Sequence, residues 1–528
     1  MGKYLNPGNA GFAAVRKGDY LDKTGLISYM NSTLGTPLKL TCVSRARRFG
    51  KSFAAQMLCA YYGKGCDSRK LFEGLEISSS PSFETGLNRY DVLYVDLIWF
   101  IGISENRADI LKNMQRELLE DLREAYPACV SADEKSLQMA LLNISIKTGN
   151  KFIFIIDEWD ALFREAKEEQ ALQKEYVQML RGLFRSGLTD RMIEAAYMTG
   201  ILPIKKYGTQ SALSDFHEFT MISPAPLERY FGFTEEEVRG LCKKQERDFE
   251  EMRRWYDGYR MGKHIHMFNP KSVLDALARK RFDSYWTQTE TYESLRTYIG
   301  MNFEGLKDAV VSMLGGISCR IETETFQNDM TTFQSRDDVL TLLVHLGYLT
   351  YDAMTKTVSI PNQEVREEFV RTVRNGESPE LVRMVRDSDR LMEATLRMDQ
   401  DEVAQLIEKA HNRNSAQQFY NNEQALRAVI QLAYISHVRD YLEIQEFPGG
   451  KGYADILFLP KRGTNKPSLL VELKWNQSAE GAIAQIKDKN YMDELEYYGG
   501  EILLVGINYD VRTKKHTCII EKANIPVR

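Results

Sequence analysis

The sequence predicts an α/β protein in three parts. A domain built on a mostly parallel sheet comes first, a largely helical middle region follows, and a smaller α/β unit closes the chain. Three observations predict this. From the start to about residue 229, short apolar, β-branched runs alternate with helical stretches. From 231 to 374 the pattern turns helical, with clear start signals. After 419 one helix is followed by three strand-like runs, a helix and a further strand-like run. A chain of 528 residues has room for roughly three domains.

In the first part the apolar runs are LKLTCV (38–43), VLYVDLI (92–98), FIFIID (152–157) and MIEAAYMTG (192–200), separated by stretches such as ADILKNMQRELLEDLREAY. Continuously apolar strands alternating with helices form parallel sheets covered on both faces. The longest apolar run, VLYVDLIWFIGI (92–103), is too short to cross a bilayer and contains Asp96, so a buried strand is expected there.

The middle part opens with FTEEEVRGLCKK, where Thr234 and Glu237 have the spacing of a capping box. Further on, residues 335–373 read as helix, two short strands with a turn near 354–357, and helix. That order suits a winged-helix unit or a helical lid. The polar stretch NGESPE marks a linker near 376–379. The expected domains are 1–230, 231–374, a helical linker 375–418, and 419–528.

Composition is that of a globular protein, with 43% hydrophobic and 27% charged residues. A net charge of -5 advertises no broad nucleic-acid-binding surface. Seven scattered cysteines without a C-x-x-C pair argue against a disulfide framework or zinc site and for a reducing compartment. The opening MGKYLNPGNAGF has no apolar core of a secretory signal, and a cytoplasmic location without a membrane partner is expected.

Two stretches carry chemistry. RARRFGKS (45–52) ends as a phosphate-binding loop does, but Arg45 stands where the first glycine of G-x-x-x-x-G-K-[ST] belongs. Average composition yields a Gly-Lys-Ser/Thr triplet by chance in roughly a quarter of chains this long, so context decides. A strand precedes this triplet and a helical run follows it, which is the required geometry. Gly50, Lys51 and Ser52 would cradle the phosphates, neutralise β/γ charge and hold Mg²⁺. FIFIIDEWD adds a strand ending in Asp157, placed to support Mg²⁺, and Glu158, placed to orient an attacking water. Thr199 in YMTG is either a γ-phosphate sensor or an ordinary strand end. Arg45, Arg47 and Arg48 either cap the triphosphate or form a basic rim against solvent or a nucleic-acid backbone.

The second stretch is GYADILF followed by VELK. Glu472 and Lys474 are two apart on a strand and share a face. Asp455 on the preceding strand can lie beside Glu472. Two carboxylates make an oxygen site suited to Mg²⁺ or Mn²⁺. Glu423 on the helix before the sheet is a further candidate ligand, Lys474 would stabilise developing charge, and Gln485 and Tyr491 could touch substrate. Two other features weigh less. His264 and His266 read as exposed histidines on a strand, and RRWYDGYRMG as an aromatic packing corner.

Taken together, these motifs resemble a bacterial family of AAA-ATPase-like proteins with a C-terminal domain of the PD-(D/E)XK nuclease superfamily. GDYLDKTGLI, SRARRFGKS, IIDEWDALF, MTGILPIKKYG, WYDGYRMG…FNPKSVL, GYADILF, VELKW and AIAQIKDKNY carry the resemblance over nearly the whole chain. It implies a P-loop NTPase core of AAA type and a C-terminal domain like those of restriction endonucleases. It also implies that arginine at position 45 is ordinary in this family. Lys51, Ser52, Asp157 and Glu158 would serve ATP, and Glu423, Asp455, Glu472 and Lys474 would form the metal-dependent set. Ala46 replaces the family's usual proline, Ser214 replaces a frequent asparagine, and Ala454 stands where the superfamily's leading proline belongs. The expected function is ATP binding and hydrolysis that controls a Mg²⁺- or Mn²⁺-dependent nuclease. Its substrate would be nucleic acid, DNA ahead of RNA, in defence against foreign DNA. A homo-oligomer is compatible with this reading. The alternative is a nucleotide-switched signalling or scaffold ATPase whose nuclease-like domain only binds nucleic acid or a protein partner.

Overall fold

A computed structural model describes residues 2–525, apart from 205, 208–209, 212, 263–264, 287–290, 302, 328–331, 377, 414–422, 450–451, 462–463, 465, 490 and 492–499. Side chains are also not described at 206–207, 210–211, 265, 291–294, 413, 423–425, 439, 448–449 and 524–525. The chain divides into two compact units, each assembled from two stretches: Met1–Tyr285 with Arg320–Pro361, and Trp286–Cys319 with Asn362–Arg528.

The first unit is organised by a five-stranded parallel sheet. Its strands are β1 (Leu40–Ser44), β2 (Asp91–Asp96), β3 (Phe152–Asp157), β4 (Ile193–Gly200) and β5 (His217–Phe219). Their spatial order is β2-β3-β4-β1-β5. Strands β1 and β3 are buried along their whole length, as expected of a sheet covered on both faces. Helix α1 (Lys51–Tyr62) leaves the end of β1 and packs Met57, Leu58 and Tyr61 into a core with Val43, Ile153 and Tyr197. With β4 inserted between β1 and β3, the C-terminal ends of all three meet at one edge. Ligands bind at such edges of open α/β sheets.

One expectation is corrected here. VLYVDLIWFIGI is not a single strand: β2 stops at Asp96 and a short helix, Leu97–Ile103, follows. The cause is local. Asp96 Oδ1 accepts the N–H groups of Ile98 and Trp99, at 3.0 and 3.4 Å, and so caps a helix where apolarity alone suggests more strand. Trp99 is left half exposed.

The rest of this unit follows the pattern. Thr234 and Glu237 form the anticipated capping box, with Thr234 N–H donating to Glu237 Oε2 at 2.7 Å. Helix Phe249–Tyr256 and strand Tyr259–Met261 flank the WYDGY turn, whose Trp255, Tyr256 and Tyr259 are buried. Phe49 packs edge-on against Tyr259 at 5.1 Å, so this aromatic corner supports the loop before α1. Residues 335–359 form α2 (Arg336–Leu346) and an antiparallel hairpin, Thr350–Asp352 with Thr357–Ser359.

The second unit contains α3 (Gln363–Arg374), α4 (Gln400–Arg413), α5 (Glu423–Ala433) and α6 (Ala479–Asp488). Its sheet comprises β6 (Tyr441–Gly449), β7 (Gly452–Pro460), β8 (Ser468–Trp475), β9 (Gly500–Asp510) and β10 (Lys515–Ile525), in that spatial order. All neighbours are antiparallel except β8 and β9, which run parallel with α6 as their crossover. One face packs on the helices through Leu426, Ile430, Ile456, Val471 and Ile507; the other packs on α6 through Ile483 and Ile486. Among the described residues no helix is long and apolar enough to cross a membrane.

Candidate active sites

In the first unit the loop from Arg45 to Gly50 joins β1 to α1. Gly50 has φ +89, a left-handed conformation that glycine takes without strain and that lets α1 begin abruptly at Lys51. Arg45 is not among the residues of positive φ, so this loop asks for no glycine there. Instead Arg45 is fully buried. Its Nη1 donates to the carbonyls of Ser44 at 3.0 Å and Phe219 at 2.7 Å, and its Nη2 reaches Pro224 O at 3.4 Å. The guanidinium lies over the Phe231 ring. Burial pulls its pKa down to about 10, which leaves it charged at neutral pH. Arg45 therefore caps no triphosphate and forms no rim; it fastens the loop to β5 and the turn beyond. Arg47 and Arg48 are half-buried, and Arg48 Nη1 donates to Tyr285 O at 3.2 Å.

Lys51 is buried, with Nζ donating to Ala46 O at 3.2 Å across the loop and 4.0 Å from Glu158 Oε1. Burial lowers its pKa, and Glu158, Asp160 and Asp157 oppose that shift. Asp157 ends β3; burial pushes its carboxyl up to about 6, against the pull of a hydrogen bond with Ser52. The structure thus brings together Lys51, Ser52, Asp157 and Glu158. Glu158 Oε2 is also held by Arg164 Nη2, on the short helix that follows. Thr199 is buried on β4, and its hydroxyl donates to Val43 O at 3.1 Å.

In the second unit the antiparallel register pairs Ile456 with Val471, which sets Asp455 opposite Glu472. Both are buried, at 6% and 2% exposure. Asp455 Oδ2 accepts Leu473 N–H at 2.8 Å, and its Oδ1 accepts Arg427 Nη2 at 2.6 Å. Lys474 Nζ lies 3.3 Å from Glu472 Oε1 and 2.7 Å from Gln485 Oε1, while Gln485 Nε2 also donates to Glu472 Oε1. Gln485 on α6 therefore fixes the Glu472–Lys474 pair. Glu472 Oε2 is buried without a hydrogen-bond partner. Burial, reinforced by the charge of Asp455, pushes the Glu472 carboxyl up to about 7.

A buried carboxylate oxygen with no donor is costly unless something positive meets it. Asp455 and Glu472 are hard oxygen donors, and that unmatched oxygen fits Mg²⁺ or Mn²⁺. Among the described residues no cluster of three or more metal-ligating side chains gathers. Glu423 begins α5, but its side chain lies outside the described residues, as does His264. Tyr491 donates to Tyr453 O at 2.7 Å, and His266 is exposed, 3.4 Å from Asp257.

Comparison with known proteins matches two stretches of the chain to families. Residues 8–209 fit the family model described as "Predicted AAA-ATPase", and residues 421–519 that of the "PD-(D/E)XK nuclease superfamily". The chain joins an AAA-ATPase-like domain to a PD-(D/E)XK nuclease-superfamily domain. It is also similar, at 24% identity over 96% of both chains, to an Azotobacter chroococcum mcd 1 protein described as "Uncharacterized protein in vnfD 5'region". Among solved structures, the Aeropyrum pernix ORC2 protein in its ADPNP–ADP complexes is similar at 12% identity, over 66% of this chain and 93% of that one. Its TM-score of 0.26 is too low to carry an argument.

Sequence reasoning assigned no role to Asp160, Arg164 or Arg427. In the ATPase-like domain Asp160 is fully buried; its Oδ2 accepts the N–H groups of Ile201 and Leu202, at 3.1 and 2.8 Å, and Arg164 Nε at 3.1 Å. It thereby ties the end of β4 to the end of β3. A Cβ on Gly200 would stand 2.5 Å from Asp160 Oδ1, which explains the glycine. The four-residue spacing of Asp160 and Arg164 was the available signal. In the nuclease-superfamily domain the missed residue is Arg427, four residues after Glu423 and so on the same side of α5.

Proposed function

We propose that the chain is an ATPase whose nucleotide state controls a metal-dependent nuclease. On this reading Lys51 neutralises the β/γ-phosphates, and Ser52 and Asp157 serve Mg²⁺. Glu158 orients water once Arg164 releases it, Thr199 stands at the γ-phosphate end, and Arg47 and Arg48 flank the triphosphate. In the C-terminal domain Asp455, Glu472 and Glu423 would hold Mg²⁺ or Mn²⁺. A divalent cation supplies Lewis-acid activation of water and of a phosphoryl oxygen. Lys474, positioned by Gln485, stabilises the negative charge that develops on phosphodiester cleavage. The observation that carries the reading is the buried, unmatched Glu472 Oε2 beside Asp455 and Lys474. The expected substrate is DNA ahead of RNA, the setting is the cytoplasm and defence against foreign DNA, and a homo-oligomer is compatible. The division at 230, 374 and 418 belongs to the same proposal.

The test is cleavage of DNA and RNA panels with Mg²⁺ or Mn²⁺, with and without ATP. Lys474→Ala and Glu472→Ala should each lower cleavage at least ~100-fold. Lys51→Ala should remove the response to ATP. Undiminished cleavage in both nuclease-site variants would sink the reading. Absent cleavage with retained nucleic-acid binding would favour a nucleotide-switched binding protein.

A further inference from the structure

Two buried carboxylates that face each other across β7 and β8 repel, and cations beside them offset that repulsion. The structure gives each its own. Glu472 has Lys474; Asp455 has Arg427. Lys474 comes from the same strand as Glu472 and is fixed by Gln485. Arg427 comes from α5, and only its far end touches the site.

The surroundings of Arg427 show where it can go. Its Nη1 bonds Glu446 Oε1 at 3.0 Å, and the Glu446 side chain is 68% exposed. The β6–β7 register sets Glu446 opposite Asp455 but leaves this pair out of the ladder, and Glu446 has φ +47. That left-handed backbone turns its carboxylate off the sheet toward Arg427. Arg427 thus has one buried anion and one solvent-facing anion within reach. A divalent cation between Asp455 and Glu472 would meet two cations already in place. Lys474 is confined; Arg427 has a second partner outward.

We propose that Arg427 is a placeholder for the metal. In the metal-free protein its guanidinium balances Asp455, and it swings to Glu446 and solvent when a divalent cation is taken up. This rests on the reading of Asp455 and Glu472 as metal ligands. Arg427 is a positioning residue: it sets how readily the site loads.

Binding of a ligand that needs a minor, open state is weakened by the fraction of protein that is open. A placeholder in position about nine-tenths of the time weakens apparent affinity about tenfold. The test is Mn²⁺ titration calorimetry on the full chain, with melting followed with and without Mn²⁺. Arg427→Gln should bind Mn²⁺ about tenfold more tightly than the parent. It should melt lower without metal, because Asp455 is left uncompensated, and recover with Mn²⁺. Arg427→Lys, which keeps the charge, should stay near the parent affinity. A purely architectural Arg427 would lower melting equally with and without Mn²⁺ and tighten nothing. Unchanged or weaker Mn²⁺ binding in Arg427→Gln, with binding lost in Glu472→Gln, overturns the placeholder and leaves the metal site standing. No Mn²⁺ binding by the parent chain overturns both.

Discussion

Arg45 stands where a phosphate-binding loop ordinarily has its first glycine, and its backbone does not take the positive φ that would call for one. The side chain takes on a different task, donating to carbonyls on β1, on β5 and in the turn beyond. A planar fork of donors reaches several acceptors at once; an ammonium cannot. Arg45→Ala should therefore cost about 3 kcal/mol, since it leaves buried carbonyls unmatched. Arg45→Lys should recover little of this. Lys51→Ala should behave oppositely: Lys51 is a buried cation whose pKa burial already lowers, so its loss should leave urea stability near the parent value while removing nucleotide binding. The contrast is read from urea unfolding beside ATP titration. It also marks what was legible. Lys51 and Ser52 lie in one short pattern after a strand. The anchoring by Arg45 depends on Phe219, 174 residues away, and no local pattern carries such a pairing.

Among the elements, the sequence reveals those whose chemistry is local. The strand 152–157 falls where the apolar run places it, because every residue in it is buried. The capping box of 234–237 is visible for the same reason. Strand β10 escapes notice, because KKHTCIIEKANI mixes charged and apolar residues as an outer strand does, and its pairing with β9 fixes it. Its contact with α4 yields a prediction. His411 Nδ1 lies 3.1 Å from His516 Nε2 in a buried cluster with the Tyr509 ring. Burial, and then His411, push the His516 pKa down to about 3. The unfolded chain takes up a proton near pH 6.5 that folded His516 refuses. Between those values the unfolded state binds more protons, so stability falls as pH falls. From pH 7 to pH 5 the loss should be about 2 kcal/mol. His516→Phe should flatten that part of the profile, measured by urea unfolding at each pH. An unchanged slope would show that the pair does not titrate in this way.

At the scale of the whole molecule, the two units have separate cores, and each holds one candidate site. A ligand that binds only a folded unit stabilises it by about 2.7 kcal/mol at a hundred times its Kd. For the second unit, of about 200 residues, this shifts the melting midpoint by roughly 5–10 °C. Scanning calorimetry of the full chain should therefore resolve two transitions, one raised by Mg²⁺·ATP and lost from that response in Lys51→Ala, the other raised by Mn²⁺ and lost from that response in Glu472→Gln. Control of the nuclease by ATP demands more. Any change that nucleotide makes in metal affinity must be returned by metal in nucleotide affinity, because coupling between binding sites is reciprocal. With Mn²⁺ bound, the Mg²⁺·ATP shift should therefore change, and a fivefold coupling corresponds to about 1 kcal/mol. Two transitions that respond only to their own ligands, with no cross-term in either order of addition, would mean that binding at one site leaves the other's affinity untouched, and that any control by ATP acts on the rate of cleavage alone.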